Sequence, residues 1–160
     1  MYSVLGLTWY HAYLAVIDVD NTVMTYSGTY GHDPAFPAQG WGGLLAIGEP
    51  YGFGSYEWGK GTVPFPYEGP QVVYSNPGEP AQRYNELLVG FVAEFNALNL
   101  QYGSLNRNSN TFTREALARL AQLGVEMQPP MFWVPGWDRP HADIPRPWRD
   151  VPLSTGLVIV

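Results

Sequence analysis

The sequence contains no cysteine and only one lysine, Lys60, and charged residues make up only 14% of it. Without cysteine the chain can form no disulfide, no thiolate metal site and no cysteine-based acyl-enzyme. The 8 Lys and Arg residues stand against 14 Asp and Glu, a formal net charge of −6, and neither Lys nor Arg precedes Lys60. Such a chain lacks the basic surface that binds nucleic acid. We therefore expect no nucleic-acid partner, and polyanionic membrane surfaces are equally poor partners.

Long apolar runs and a basic N-terminal region are also missing. No stretch approaches the roughly 20 apolar residues that a membrane-spanning helix needs. No basic segment leads into an apolar one in the manner of a secretory signal peptide. We therefore expect no membrane insertion, and a location that is either cytoplasmic or reached by export without a cleaved signal peptide. The oligomeric state is left open.

Glycine (18) and proline (15) are abundant instead, and aromatic residues make up 15% of the 160 residues. The length suits a single domain, residues 1–160. Residues 28–70 are predicted to be mostly loop, with one strand at 40–47, and prolines preclude regular structure over most of 129–152. The loop aromatics either cover one sheet face or wall a cleft. The candidates for such a cleft are Trp41, Tyr56 and Trp58.

Runs of β-branched, aromatic and aliphatic residues predict further strands at 3–9, 11–19, 22–27 and 153–160. Asp20-Asn21 is a plausible turn between the second and third of these. Apolar residues at three- and four-residue spacing predict helices at 80–98 and 111–123, with Pro80 in the first turn of one and Gly124 ending the other. Strands followed by helices favour an α+β fold, a small antiparallel sheet with two main helices on one face.

The segment Asn108-Ser109-Asn110 lies where a polar loop meets the second predicted helix. Backbone N–H groups at a helix start carry partial positive charge, which favours an oxyanion or an ionised nucleophile. Ser109 could therefore be a reactive hydroxyl. Serine is also a preferred N-cap residue, so a purely structural role fits the same position.

Histidine is the other candidate for chemistry, and His11 is predicted near the start of an early strand. A lone strand histidine can be a packed or surface residue, or a general base if a partner faces it. His32-Asp33 is a possible polar pair, but the three histidines lack the spacing of metal ligands. We expect no metal and no other cofactor.

Taken together, these elements resemble the circularly permuted papain-like proteins, in which the histidine precedes the nucleophile along the chain. The closest likeness is to the PPPDE peptidases, and a more distant one is to the lecithin:retinol acyltransferase and NlpC-related groups. The matching residues are Trp-Tyr-His-Ala-Tyr-Leu at 9–14, Tyr102, Asn108, Ser109, Asn110 and Phe112. In those families the segment that corresponds to residues 108–112 is Asn-Cys-Asn-x-Phe, so serine here replaces their cysteine.

The resemblance implies a hydrolase or acyltransferase that attacks an amide or ester with Ser109 and uses His11 as general base. The substrate would be a peptide, a protein or a lipid-like acyl compound. A third residue should orient the imidazole, and backbone N–H groups should bind the oxyanion. The candidates for orienting the imidazole or binding the oxyanion are Asp18, Tyr30, Asp33, Asn108 and Asn110.

A non-catalytic binding module on the same scaffold is the alternative. It is favoured by the missing cysteine and by aromatic residues in Gly- and Pro-rich segments, since aromatics anchor many interfaces. These are Tyr30, Trp41, Tyr51, Phe53, Tyr56 and Trp58. In this interpretation Ser109 is the N-cap of the second helix.

Overall fold

The computed structural model describes residues 2–4, 7–9, 12–31, 43–57, 80–102 and 107–125, with backbone only for 2–4 and 7–9. The predicted strand at 153–160 and the proline-rich segment at 129–152 lie outside these residues.

Two antiparallel sheets are present in the described part of the chain. The strands are β1 (Tyr2–Val4), β2 (Leu7–Trp9), β3 (Leu14–Ile17), β4 (Val23–Tyr30) and β5 (Leu44–Pro50). The first two form a hairpin, and the other three form a sheet in the order β3-β4-β5. The prediction of one strand at 3–9 was therefore wrong. The apolar pattern is continuous over 3–9, so it gave no sign that the run divides into two strands.

The turn between β3 and β4 confirms the prediction for Asp20-Asn21. The Asn21 N–H donates to the Asp18 carbonyl at 2.9 Å, and Asn21 has a left-handed φ of 65°. The Asp20 carboxylate accepts from the Thr22 hydroxyl at 2.6 Å and from the Thr22 N–H at 2.9 Å. These bonds, the hydroxyl first, lower the pKa of Asp20 because they favour its charged form.

The strand boundaries differ from those predicted. β3 is shorter than the predicted 11–19, whereas β4 continues to Tyr30, beyond the predicted 22–27, into residues that were predicted to be loop. β5 begins later than the predicted 40–47 and extends to Pro50. Its outer edge is covered by Asn96, whose side chain accepts the Ala46 N–H at 2.7 Å and donates to the Ala46 carbonyl at 3.0 Å. Covering an edge in this way prevents further strand pairing.

Both predicted helices are present, with shifted ends. They are α1 (Gln82–Ala97) and α2 (Ser109–Leu120), and α2 continues into a short 3-10 helix, Ala121–Leu123. Pro80 precedes the N-cap residue of α1, Ala81, rather than lying in the first turn. Gly124 ends the second helical segment with a φ of 78°, as its position predicted. In the described part of the chain, no helix is long and apolar enough to cross a membrane.

Both helices lie on the same face of the three-stranded sheet. The Tyr26 hydroxyl donates to the Asn85 side chain of α1 at 2.8 Å, and Gly28 contacts α2 at Ser109 and Phe112. Tyr26 and Gly28 are two residues apart on β4, so they point to the same side of the sheet. This confirms the predicted α+β fold.

Three phenylalanines join the two helices in the core. The rings of Phe91 and Phe112 stack with centroids 5.6 Å apart, and the Phe95 ring meets Phe112 edge-on at 5.1 Å. All three side chains are buried. Because Phe112 lies in the first turn of α2, this cluster holds the start of that helix against α1.

Candidate functional site

The N-cap residue of α2 is Asn108, and Ser109 is the first residue of the helix. The Asn108 side-chain oxygen accepts the Asn110 N–H at 3.0 Å, and the Asn108 N–H donates to the Thr111 hydroxyl at 3.2 Å. The alternative that made Ser109 the N-cap was therefore wrong. Asparagine is as good a cap as serine, so the sequence alone could not choose between neighbours.

The first turn of α2 lies directly on β4 at Gly28. A β carbon added to Gly28 would be 2.7 Å from the Ser109 Cα and 3.1 Å from the Ser109 carbonyl oxygen. Real side chains do not approach a backbone that closely, so only glycine lets the helix start sit here. The close approach fixes the position of Ser109 relative to the sheet.

The backbone of Ala12 is held by two side chains of α2, an arrangement we call the Ala12 clamp. The Asn110 side-chain oxygen accepts the Ala12 N–H at 2.8 Å, and the Thr113 hydroxyl donates to the Ala12 carbonyl at 2.7 Å. All three residues are buried. Ala12 directly follows His11 in the sequence, so the clamp holds the neighbour of that histidine against the helix start that carries Ser109.

Ser109 is almost covered, with 8% of its surface exposed. The Thr113 hydroxyl also lies 3.3 Å from the Ser109 carbonyl, and the Thr111 N–H donates to the Asn108 carbonyl at 3.0 Å. The Asn108 side-chain oxygen is committed to capping the helix, and the Asn110 oxygen is committed to Ala12. Among the orienting candidates, these two asparagines therefore flank Ser109 and organise the turn that carries it.

Tyr30 lies at the end of β4 on the same face as Gly28, two residues further along the strand. It is 41% exposed, and its ring meets the Tyr102 ring edge-on with centroids 5.3 Å apart. Burial, and secondarily the nearby Tyr56, raises the pKa of Tyr102 above its ordinary value. Tyr56 in turn shares a hydrogen bond with the Thr29 hydroxyl. Tyr30 and Tyr102 therefore lie at the end of β4 that is nearer Ser109, whereas Tyr56 bonds to Thr29, which points to the opposite face of the sheet.

Asp18 lies at the other end of β3, in the turn to β4. It lies six positions after Ala12, which is about 20 Å along an extended chain. Its carboxylate accepts the neighbouring Val19 N–H at 2.6 Å. The structure therefore does not bring Asp18 to the Ser109 turn.

His11, Asp33, Trp41 and Trp58 lie outside the described residues, as does the His32-Asp33 pair. Within the ranges that the structure describes, no group of three or more His, Asp or Glu side chains is placed to hold a metal ion.

Sequence reasoning missed two residues of this site, Gly28 and Thr113. A glycine within a strand-forming run is a known sign of close backbone approach, so Gly28 offered a signal. Thr113 follows Asn110 by three residues, which places both side chains on one face of α2. That spacing was visible, but nothing in the sequence showed that Ala12 would be their partner.

Comparison of the chain with protein-family models, with curated proteins and with solved structures gave no match.

Proposed function

We propose that the protein is a hydrolase or acyltransferase that cleaves an amide or ester through an acyl-enzyme on Ser109, with His11 as general base. The observation that supports this most directly is the division of roles in the first turn of α2. Asn108 caps the helix, so Ser109 is not required for capping. The same turn binds the backbone of the residue next to His11. The resemblance to permuted papain-like proteins, with serine in place of cysteine, is part of the proposal.

The reaction would begin when the Ser109 Oγ attacks the substrate carbonyl carbon and its proton passes to the His11 imidazole. The tetrahedral intermediate would collapse as the leaving amine or alcohol takes that proton and departs. Water, or an acceptor alcohol or amine, would then attack the acyl-Ser109 ester, again giving its proton to the imidazole. The bond between the acyl carbon and the Ser109 Oγ would break as the Oγ takes that proton back, which releases the product and restores the free enzyme. Serine depends on its base more than cysteine does, since a hydroxyl is almost entirely protonated at neutral pH.

A peptide or a lipid-like acyl compound fits this site better than an anionic substrate. The side chains that cap and clamp the turn, Asn108, Asn110, Thr111 and Thr113, are all uncharged. The chain as a whole carries a net charge of −6, which repels anions approaching from a distance.

The test is covalent labelling with a fluorophosphonate, read by intact mass and peptide mapping. Attack by the Ser109 Oγ would form a P–O bond and release fluoride, with the proton going to the base. We expect one adduct on Ser109 in the wild type, none in Ser109→Ala, and a reduced rate in His11→Ala. Ser55→Ala, which alters a serine in the loop after β5, is the matched control and should label normally. Labelling that persists in Ser109→Ala, or no labelling at all, would refute the proposal.

A binding role is the second candidate, favoured by apolar residues exposed at the opposite end of the sheet. Phe53 is 95% exposed in a tight turn, where the Ser55 N–H donates to the Gly52 carbonyl at 2.9 Å. Ile17 and Val19 are exposed near the β3–β4 turn. The Tyr51 N–H donates to Val23, the residue paired with Ile17, so both segments meet at this end. A protein or peptide with an apolar surface is the partner that these residues would take.

This second candidate is tested by placing a photo-crosslinking amino acid at position 53. Val89, an exposed apolar residue of α1, gives the matched control position. A discrete crosslinked adduct between position 53 and a protein or peptide partner would support binding at this end of the sheet. The adduct should be absent when the crosslinker is at position 89, and it should be lost with Ile17→Ser. Equal or absent crosslinking from both positions would remove this candidate.

A further inference from the structure

We propose that Asn110 and Thr113 are positioning residues for the reaction at Ser109, acting through the backbone of Ala12, the residue that follows His11 in the sequence. This inference rests on the proposed function, because it concerns the geometry between the base and the nucleophile. It assigns a role to Thr113, and it gives Asn110 a role other than direct contact with an imidazole.

The Ala12 clamp uses both backbone polar groups of one residue. Asn110 takes the N–H at 2.8 Å and Thr113 takes the carbonyl at 2.7 Å. A hydroxyl has a single proton, so Thr113 donates to Ala12 rather than to the Ser109 carbonyl at 3.3 Å. The hydroxyl nevertheless lies close to both carbonyl oxygens, and it therefore limits the distance between the backbones of Ala12 and Ser109.

The clamp replaces sheet hydrogen bonding at this point of the chain. β3 begins only at Leu14, and the ladder with β4 starts at the pair Leu14 and Tyr26. Ala12 is buried, so its N–H and carbonyl need partners, and α2 supplies them. Ala12, which precedes β3, is therefore held by hydrogen bonds to α2, the helix that carries Ser109, and not by hydrogen bonds to the sheet.

Catalysis by a serine–histidine pair is sensitive to such registration. Consecutive Cα atoms are about 3.8 Å apart, so the residue before Ala12 is tethered within one residue of the clamp. A base must come within hydrogen-bond reach of the hydroxyl, and a misplacement of about 1 Å can cost a hundredfold in rate. Loosening the clamp should therefore slow the covalent step more than it weakens probe binding.

The chain offers a matched control for each member of the clamp. Asn96 binds the backbone of Ala46 through its side-chain amide, with its oxygen 2.7 Å from the Ala46 nitrogen, but on the outer edge of β5. The buried Thr25 hydroxyl donates to the Glu49 carbonyl at 3.3 Å, on the sheet face opposite the helices. Asn96→Ala and Thr25→Val thus remove comparable interactions away from Ser109.

The experiment measures the fluorophosphonate reaction of the full chain in two parts, the maximal labelling rate and the probe concentration that gives half of it. We expect Asn110→Ala and Thr113→Val to lower the maximal rate at least tenfold, with half-saturation unchanged within twofold. Thr113→Ser, which keeps the hydroxyl, should recover the rate to within about threefold of wild type. Asn96→Ala and Thr25→Val should label at wild-type rate. Clamp variants that label like the wild type, or slow no more than these controls, would overturn the inference.

Hydrogen exchange of single amides separates failure of the clamp from failure of the proposed function. Asn110→Ala should speed exchange of the Ala12 amide at least tenfold and leave the Ala46 amide unchanged, and Asn96→Ala should do the reverse. Unchanged Ala12 exchange would show that the clamp does not form, whether or not Ser109 is labelled. A clamp detected by exchange in a wild-type protein that never labels would refute the proposed function and, with it, the positioning role.

Discussion

Gly28 of β4 and Ser109 of α2 approach so closely that a β carbon on the glycine would lie 2.7 Å from the serine Cα. This contact joins the middle strand of the sheet to the first residue of the helix. Phe112 adds to it, since the same β carbon would be 3.0 Å from the Phe112 Cβ. The position of Ser109 is therefore determined by the backbone of β4 as well as by its own helix.

Gly28→Ala should destabilise the protein by about 1–3 kcal/mol, the usual cost of overpacking a close contact. The methyl group can be accommodated only if the start of α2 moves away from the sheet, so the rate of Ser109 labelling should also fall. Denaturant unfolding and labelling kinetics measure the two effects.

Gly90→Ala in α1 is the control, because a β carbon there meets nothing within 4 Å. That variant should be neutral or stabilising by up to about 1 kcal/mol, since alanine favours the helix. A fully stable Gly28→Ala variant would contradict the close approach.

Because Asn108 and not Ser109 caps α2, alanine substitutions at the two positions should differ in their effect on stability. Asn108→Ala should cost about 0.5–2 kcal/mol of stability, because it removes the acceptor of the Asn110 N–H. Ser109→Ala should cost less, since both cap bonds belong to Asn108. Thermal and denaturant unfolding of the two variants check the order. If Ser109→Ala proves the more destabilising, serine has a structural role that the cap geometry does not assign to it.

The helices and the first β-hairpin of the larger sheet could be predicted from sequence, because periodic apolar residues and an Asp-Asn turn are local signals. The extension of β4 to Tyr30 could not, because it depends on pairing with β5, which is not adjacent to it in the sequence. Glycine-rich and aromatic residues there gave no alternation to indicate a strand.

The candidate site likewise has one part that the sequence could predict and one part that it could not. The helix start at Asn108-Ser109 is encoded by capping residues close in sequence, so its location could be predicted to within two residues. The clamp joins Ala12 to Asn110 and Thr113 across 98 and 101 residues. No local pattern encodes such a contact. It forms only because the sheet and α2 pack together.

Phe112→Ala should destabilise the protein by about 3–5 kcal/mol, the range for removing a fully buried phenylalanine. The loss includes its ring contacts with both Phe91 and Phe95. Phe112→Leu should lose less, because it keeps most of the buried volume. Denaturant unfolding measures both. Equal stability of the alanine variant and the wild type would show that the two helices do not pack through this ring.

The pH dependence of stability tests whether burial raises the pKa of the tyrosine phenols. Burial raises the pKa of Tyr26 from 10.0 to about 12, because the ionised form loses its hydration. Between pH 10 and 12 the unfolded chain releases the proton while the folded protein retains it. The stabilisation is therefore complete below pH 10 and is lost as pH rises toward 12. Burial, followed by the charge of Glu57, likewise raises the pKa of Tyr13 to about 12.

We expect Tyr26→Phe to cost about 1 kcal/mol at pH 7, because the hydrogen bond to Asn85 is lost. The deficit should shrink or reverse above pH 10, where the wild type loses up to about 1.4 kcal/mol per pH unit for this one proton. Tyr13→Phe should flatten the same alkaline limb by a similar amount, which makes it an independent check. Urea unfolding at intervals from pH 7 to 11.5 measures these slopes. A Tyr26→Phe variant whose alkaline slope matches the wild type would mean that the phenol already ionises near pH 10 in the folded protein.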